Sequence, residues 1–200
     1  MDVDAVVFDI GGVLIDWNPR HLYRTLIPDD DEREWFLANV CTVEWNRGLD
    51  EGLSFDDACD ELAARHPDHA ELVHAWRRQD EMVAGEVPGT ADVVRRLRET
   101  RTPLYLLTNM PGDVFRRRAE QFDVLRLFDG AVVSGDERLL KPSRAIFDLV
   151  ADRFGLDRTR TLLVDDTEEN VEGARAAGFL AHHFTTPTDL AAVLGLPTRH

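Results

Sequence analysis

Val3 to Phe8 is a short apolar run, rich in β-branched and aromatic residues and interrupted only by Asp4, that ends at Asp9 and is followed at once by Gly11-Gly12. Such a run predicts a strand buried on both faces that delivers an acid to a tight loop. Four later segments repeat the theme: Pro103 to Leu107 ends at Thr108-Asn109, Gly130 to Val133 at Ser134-Gly135, Thr161 to Val164 at Asp165-Asp166, and Phe179 to Phe184 closes the series. Between them, Ala91 to Thr100, Ser143 to Phe154 and Thr167 to Ala177 carry apolar residues at helical period, the last opened by Thr167 as an N-cap and followed by Gly178. Alternating strands and helices predict an α/β fold with a doubly wound parallel sheet and a ligand crevice at the strand carboxyl ends.

The stretch 16–86 breaks the alternation. It carries no β-rich run but several helical patterns, at Asp30 to Cys41, Ser54 to His66 and Pro67 to Met82, and Ser54 with Asp57 three residues on resembles a capping box. Residues 16–86 are therefore expected to form a helical cap inserted after the first strand, with 1–15 and 87–200 as the core and Val87-Pro88-Gly89 as the return. Trp45-Asn46-Arg47-Gly48 reads as a loop between cap helices, and Asp16-Trp17-Asn18-Pro19-Arg20 as the hand-over from strand to cap.

The 200 residues are 44% apolar, enough for a buried core, and carry 23 basic against 38 acidic side chains, a net charge of −15. That charge argues against nucleic acid or an anionic membrane as a general partner. No apolar run reaches the ~20 residues of a membrane span, and Met1-Asp2-Val3-Asp4 lacks the basic start of a signal peptide, so the cytoplasm is the expected compartment. Cys41 and Cys59 form no CxxC pair and read as buried thiols, while His66, His69 and His74 do not share one helical face and read as solvated.

Taken singly, Asp, Thr and Asn at strand ends are ordinary loop residues. Their order carries more. Phe8-Asp9-Ile10-Gly11-Gly12-Val13-Leu14, Leu106-Leu107-Thr108-Asn109, Leu140-Lys141-Pro142-Ser143 and Val164-Asp165-Asp166-Thr167 follow one another along nearly the whole chain. This set resembles the four motifs of the haloacid dehalogenase superfamily, and the position of the helical insertion resembles the subgroup with a cap after the first motif. Within it, the Gly11 of the first motif is most similar to the glucose-1-phosphatase-like members. The resemblance implies a phosphatase acting on a small phosphorylated substrate. Asp9 would be the nucleophile forming an aspartyl-phosphate, with Lys141 and Thr108 as catalytic partners. Magnesium would be held by Asp9, the Gly11 carbonyl, Asp166 and, directly or through a neighbour, Asp165. Thr108 and the Asn109 backbone would donate hydrogen bonds to the phosphate, which Lys141 would also bind; Trp45 and Arg47 are candidates for reading the rest of the substrate, with core packing the alternative for Trp45 and a solvated surface for Arg47.

One position departs from the pattern. Most phosphatases of the superfamily place a second aspartate two residues after the nucleophile, as acid and base; here it is Gly11. Three expectations follow. The leaving group needs little help, as with a sugar 1-phosphate; another side chain such as Asp16 or His21 moves the proton; or the protein binds a phosphorylated ligand without turning it over. A haloacid dehalogenase proper, which attacks carbon without magnesium, is the other enzyme reading, and the Asp165-Asp166 pair argues against it.

Overall fold

A computed structural model describes residues 3–197; Met1 and Asp2, part of the amino-terminal stretch considered above, lie outside them. Seven strands are present among the described residues: β1 Ala5–Phe8, β2 Ile15–Trp17, β3 Val83–Glu86, β4 Leu104–Thr108, β5 Gly130–Val133, β6 Thr161–Asp165 and β7 Leu180–His183. Five of them form one sheet in the order β5-β4-β1-β6-β7, every pairing parallel. The expected doubly wound α/β architecture is the observed one.

The central strand shows why. All four residues of β1 are buried, so both faces of the sheet must be covered. Its side chains alternate between two apolar layers: Val6 and Phe8 join Leu104, Leu106, Leu162 and Val164 on one face. Val7 joins Leu107 and Leu163 on the other. The first layer is closed by Val94 and Leu97 of the helix Thr90–Glu99 and by Leu190. The second is closed by Ile146, Phe147 and Val150 of the helix Arg144–Phe154 and by Ala174. Each large side chain so buried contributes about 1.5–3 kcal/mol before chain entropy is counted.

The chain leaves β1 for β4 on one side and later returns to β6 on the other, so the order reverses at β1. Phe8 pairs with Leu106 and with Val164. That register sets Asp9 beside Asp165, with Thr108 one residue further along β4, at the switch point, where such sheets leave a crevice.

The reading of 16–86 as free of strands is corrected. β2 and β3 pair antiparallel, with Ile15 opposite Glu86 and a register shift between Asp16 and Trp17. These strands are too short for alternation to be legible in sequence. Between them run the helices Pro19–Leu26, Asp30–Asn39, Val43–Asp50, Phe55–Arg65 and Ala70–His74 with intervening 3₁₀ turns. Each of the first four is opened by a side chain that accepts a backbone N–H: Asn18, Asp29, Thr42 and Ser54. The insertion has an apolar core of its own, centred on Tyr23, Phe36, Leu62 and Trp76.

Pro67 to Met82 is not one helix but the 3₁₀ turn Pro67–His69, the helix Ala70–His74 and the 3₁₀ turns Ala75–Arg77 and Gln79–Met82. Its buried residues are Val73, Trp76, Gln79 and Met82, one every third position. That spacing fits three residues per turn better than 3.6. Among the described residues no helix is long and apolar enough to cross a membrane.

Candidate active site

Asp9 and Lys141 are both buried, and Asp165 is fully so. Lys141 Nζ lies 2.9 Å from Asp9 Oδ1 and 2.7 Å from Asp165 Oδ2, so one ammonium is shared by two largely buried carboxylates. The lysine arrives on the loop between β5 and the helix Arg144–Phe154, where Lys141-Pro142 is a cis peptide. Asn109, just past β4, fixes that loop: its Oδ1 accepts the Lys141 N–H at 2.9 Å and its Nδ2 donates to the Lys141 carbonyl at 3.0 Å. The Asn109 side chain is thereby committed to the lysine backbone.

The two oxygens of Asp9 are not equivalent. Oδ1 accepts the Ile10 N–H at 2.7 Å and faces the Lys141 ammonium, whereas Oδ2 has no hydrogen bond among the described residues. In Asp165, Oδ1 accepts from the Thr167 N–H and Asn170 Nδ2, both at 2.9 Å, and Oδ2 takes Lys141. Asp165 therefore anchors the lysine and the entry to the next helix. Asp166 is exposed, and its carboxylate lies against Gly12, where a Cβ would sit 2.0 Å from Oδ2. Gly12 has φ +69°, a conformation that favours glycine.

Carboxylate oxygens of Asp9, Asp165 and Asp166 lie within 4.8 Å of one another, and this is the only such acidic or histidine group among the described residues. Burial pushes the Asp9 carboxyl up, against the pull of Lys141 and with the help of Asp165 and Asp166, to about 7. Burial also raises Asp166, and Asp165 beside it adds to the effect. Burial lowers Lys141, but its two carboxylates more than offset this and hold it at about 12. A site with three carboxylates and one ammonium keeps an excess of negative charge. The donor set, all oxygen with the Asp166 carboxylate uncommitted, suits a hard divalent cation.

A chamber of about 640 Å³ opens over these residues, between the sheet edge and the helical insertion. Asp9, Gly11, Thr108, Asn109, Lys141 and Asp166 form part of its floor, and Thr108 is buried there. Leu37, Val43, Phe55, Met110 and Val114 give its walls an apolar character. The sequence-predicted residues of the core thus converge.

Those of the insertion divide. Arg47 lines the chamber and reaches across to Glu169 of the core at 3.1 Å. Trp45 does not line it; it packs edge-on against Trp76, ring centres 5.4 Å apart, in the core of the insertion. Both lie on the helix Val43–Asp50, not in a loop, because Thr42 caps the segment. Asp16 and His21 pair with each other at 3.1 Å and do not line the chamber. Cys41 and Cys59 are buried free thiols, as expected. His66, His69 and His74 form no metal group, and His69 packs against Trp35 and Phe36.

The sequence reading missed Asp50. Its half-buried carboxyl lines the chamber and accepts a hydrogen bond from Asn46 Nδ2 at 2.9 Å. Burial, followed by the charge of Asp9, raises it to about 8 against the opposing effects of Lys141 and Asn46. The available signal was the spacing: Asn46 and Asp50, four apart, share one helix face. Also unforeseen is Arg118, a buried cation on the core helix Gly112–Gln121 that donates to Asp80 and to the Gln79 carbonyl of the insertion.

A sequence profile described as haloacid dehalogenase-like hydrolase matches residues 3–178. Among curated proteins, a sesquiterpene phosphatase of Aspergillus oryzae is 28% identical, covering 90% of this chain and 89% of its own length. A phosphorylated carbohydrates phosphatase of Thermotoga maritima is 25% identical over 88% and 82%, and a phosphoglycolate phosphatase of Shigella boydii is 31% identical over 88% and 79%. Two solved structures share the fold. An L-2-haloacid dehalogenase of Xanthobacter autotrophicus has a TM-score of 0.68 and 18% identity, over 90% of this chain and 76% of that one. An enzyme of Bacteroides thetaiotaomicron in complex with magnesium and inorganic phosphate has a TM-score of 0.66 and 21% identity, over 90% and 93%. By its own motifs, its sheet order and these matches, the chain belongs to the haloacid dehalogenase-like hydrolases.

Proposed function

We propose that this phosphoric monoester hydrolase acts on a small phosphorylated metabolite through an aspartyl-phosphate on Asp9. The observation that carries this is the asymmetry of the Asp9 carboxylate. Oδ1 is held by the Ile10 N–H and Lys141, which leaves Oδ2 free and facing the chamber as the attacking atom. The Lys141 ammonium lowers the cost of bringing a phosphate dianion up to a carboxylate. Thr108, buried at the chamber floor, is proposed to hold a phosphate oxygen, and Asn109 to contribute by fixing Lys141.

Asp9, the Gly11 carbonyl and Asp166 are the proposed ligands of Mg²⁺, with Asp165 one step removed because its oxygens already serve Lys141, Thr167 and Asn170. When bound, the ion would screen the negative charges of nucleophile and phosphate from each other. The helical insertion is proposed to cap the chamber and exclude water, with Arg47 reaching the core from its side.

The leaving group occupies the upper chamber. A sugar 1-phosphate matches the absence of an acid at position 11, and the apolar walls from Leu37, Phe55 and Val114 equally favour a substrate with an apolar body. Relatives named for sesquiterpene and for carbohydrate phosphates make both classes worth testing.

Phosphate release from sugar, nucleotide and prenyl monophosphates, with Mg²⁺ and with EDTA, is the test. Release that needs both the ion and Asp9, judged by Asp9→Asn, supports the proposal. Halide release from a 2-haloacid that ignores EDTA would favour a dehalogenase, and binding of phosphate esters with no release would favour a sensor.

A further inference from the structure

We propose that Asp50, carried into the chamber by the inserted helix Val43–Asp50, is the acid and base of the reaction, in place of the residue absent at position 11. This deepens the phosphatase reading above and rests on it.

Position 11 is open. A Cβ built on Gly11 meets nothing within 4 Å, and the residue lines the chamber, so no core side chain fills that space. Asp50, which lines the same chamber, is held in place from three directions. Asn46 Nδ2 donates to Asp50 Oδ2 at 2.9 Å, and Asn46 is itself oriented because its Oδ1 accepts the Trp76 indole N–H at 3.2 Å. The Asp50 carbonyl accepts the Ser134 hydroxyl at 2.5 Å, and the same hydroxyl accepts the Met110 N–H at 2.8 Å, which ties the end of the inserted helix to the loops after β4 and β5. Two residues on, Gly52 (φ +103°) comes so close to the core that a Cβ there would stand 2.9 Å from the Gly135 carbonyl. Asp50 is therefore a fixed group, although it belongs to the insertion.

The other acids of the chamber are engaged elsewhere. Glu34 receives Arg20 through two hydrogen bonds, which hold it ionised. Glu169 pairs with Arg47, and Asp166 belongs to the proposed cation site. Asp16 and His21, the candidates drawn from the sequence, face each other outside the chamber. Asp50 alone among the lining acids combines a half-buried setting with a partner, Asn46, that serves either protonation state, since the amide donates to one oxygen and leaves the other for the proton.

The two half-reactions balance. As Asp9 Oδ2 forms its bond to phosphorus, the bond to the leaving oxygen breaks, its electron pair stays on that oxygen, and the Asp50 proton moves to it, giving a neutral alcohol and an Asp50 carboxylate. In the second half, a water attacks phosphorus while its proton passes to Asp50. The bond to Asp9 then breaks with the electron pair returning to its carboxylate, and inorganic phosphate leaves with Asp50 protonated again.

The experiment compares an alkyl monophosphate with p-nitrophenyl phosphate, whose leaving group needs no proton, in wild type, Asp50→Asn, Gly11→Asp and the double variant, each checked for a native far-UV spectrum. Asp50→Asn is expected to lower alkyl ester turnover by about 10²–10⁴-fold. With the aryl ester it should keep the first turnover and then stall, giving a burst of about one nitrophenol per enzyme, because only the second half then lacks its base. Adding Gly11→Asp to Asp50→Asn should recover alkyl ester turnover at least about tenfold, since the acid is returned from the core. Activity of Asp50→Asn within about twofold of wild type on both esters, or loss of the aryl burst together with the alkyl turnover, overturns the assignment. Should Asp50→Asn not fold, Asp50→Ser with and without Gly11→Asp supplies the same comparison. Wild type that releases phosphate from neither ester sinks the phosphatase reading itself, an outcome distinct from an active wild type indifferent to Asp50.

Discussion

Replacing Lys141 by Met removes the ammonium that sits 2.9 Å from Asp9 and 2.7 Å from Asp165 while keeping most of its buried volume. At an effective dielectric of ~20, each contact is worth roughly 6 kcal/mol of gross attraction. Returning the desolvation cost of the lysine cancels much of this, and the net loss expected for orphaning buried carboxylates is about 3–5 kcal/mol. For a chain of 200 residues that is a fall in Tm of roughly 6–20 °C at about 2–4 °C per kcal/mol. The loss must depend on pH. The folded pKa of Asp9, already raised from 3.8 to about 7 with the lysine present, climbs further without it. A raised carboxyl contributes stability that is present below the unfolded pKa and is lost as pH rises through the folded one. The deficit of Lys141→Met relative to wild type should therefore grow from pH 5.5 to pH 8.5, in thermal melts run in EDTA so that no cation substitutes for the lysine. A deficit below about 1 kcal/mol at both pH values, or one larger on the acid side, would refute the electrostatic account of this triad.

Two further outcomes follow from the same geometry. Gly12→Ala places a Cβ 2.0 Å from Asp166 Oδ2 at φ +69°, so it should cost about 1–3 kcal/mol and weaken Mg²⁺ binding in calorimetry at least about tenfold, whereas Gly11→Ala, with nothing within 4 Å, should change stability by less than about 0.5 kcal/mol. Asp50 has its pKa raised from 3.8 to about 8, so its contribution to stability is lost as pH rises through that range; Asp50→Asn should melt higher than wild type at pH 9, by about 1–3 kcal/mol once the partial exposure of the side chain is allowed for, with the gain vanishing near pH 4.

The sheet and the floor of the site were legible because each rests on a local signal. Within the run Val3 to Phe8, Ala5 to Phe8 is apolar on every residue since β1 is covered on both faces, and its end fixes where Asp9 emerges. Thr108, Lys141 and Asp165 likewise follow apolar strands or a loop beside one, and parallel register does the rest. What stayed hidden depends on tertiary contact. Trp45 was open between core packing and a substrate contact, because an exposed aromatic and one packed on Trp76 look alike in sequence. Asn109 was expected to meet the phosphate through its backbone, and only the approach of the Lys141 loop reveals where its side-chain amide goes. Asp50 offered only its spacing from Asn46, because Trp76, which orients Asn46, and Ser134, which holds the Asp50 carbonyl, come from distant segments. The period of three in Val73, Trp76, Gln79 and Met82 was present in the sequence, but a helical template of 3.6 absorbed it.

The central claim is that Asp9 Oδ2 takes the phosphoryl group. Its most direct test is mass spectrometry of the enzyme quenched in acid during turnover, with peptides mapped after mild digestion. The account predicts a phosphoryl group on the peptide containing Asp9, absent in Asp9→Asn and in EDTA. Active turnover with Asp9 unmodified at every quench time, and phosphate release that survives Asp9→Asn, would contradict it.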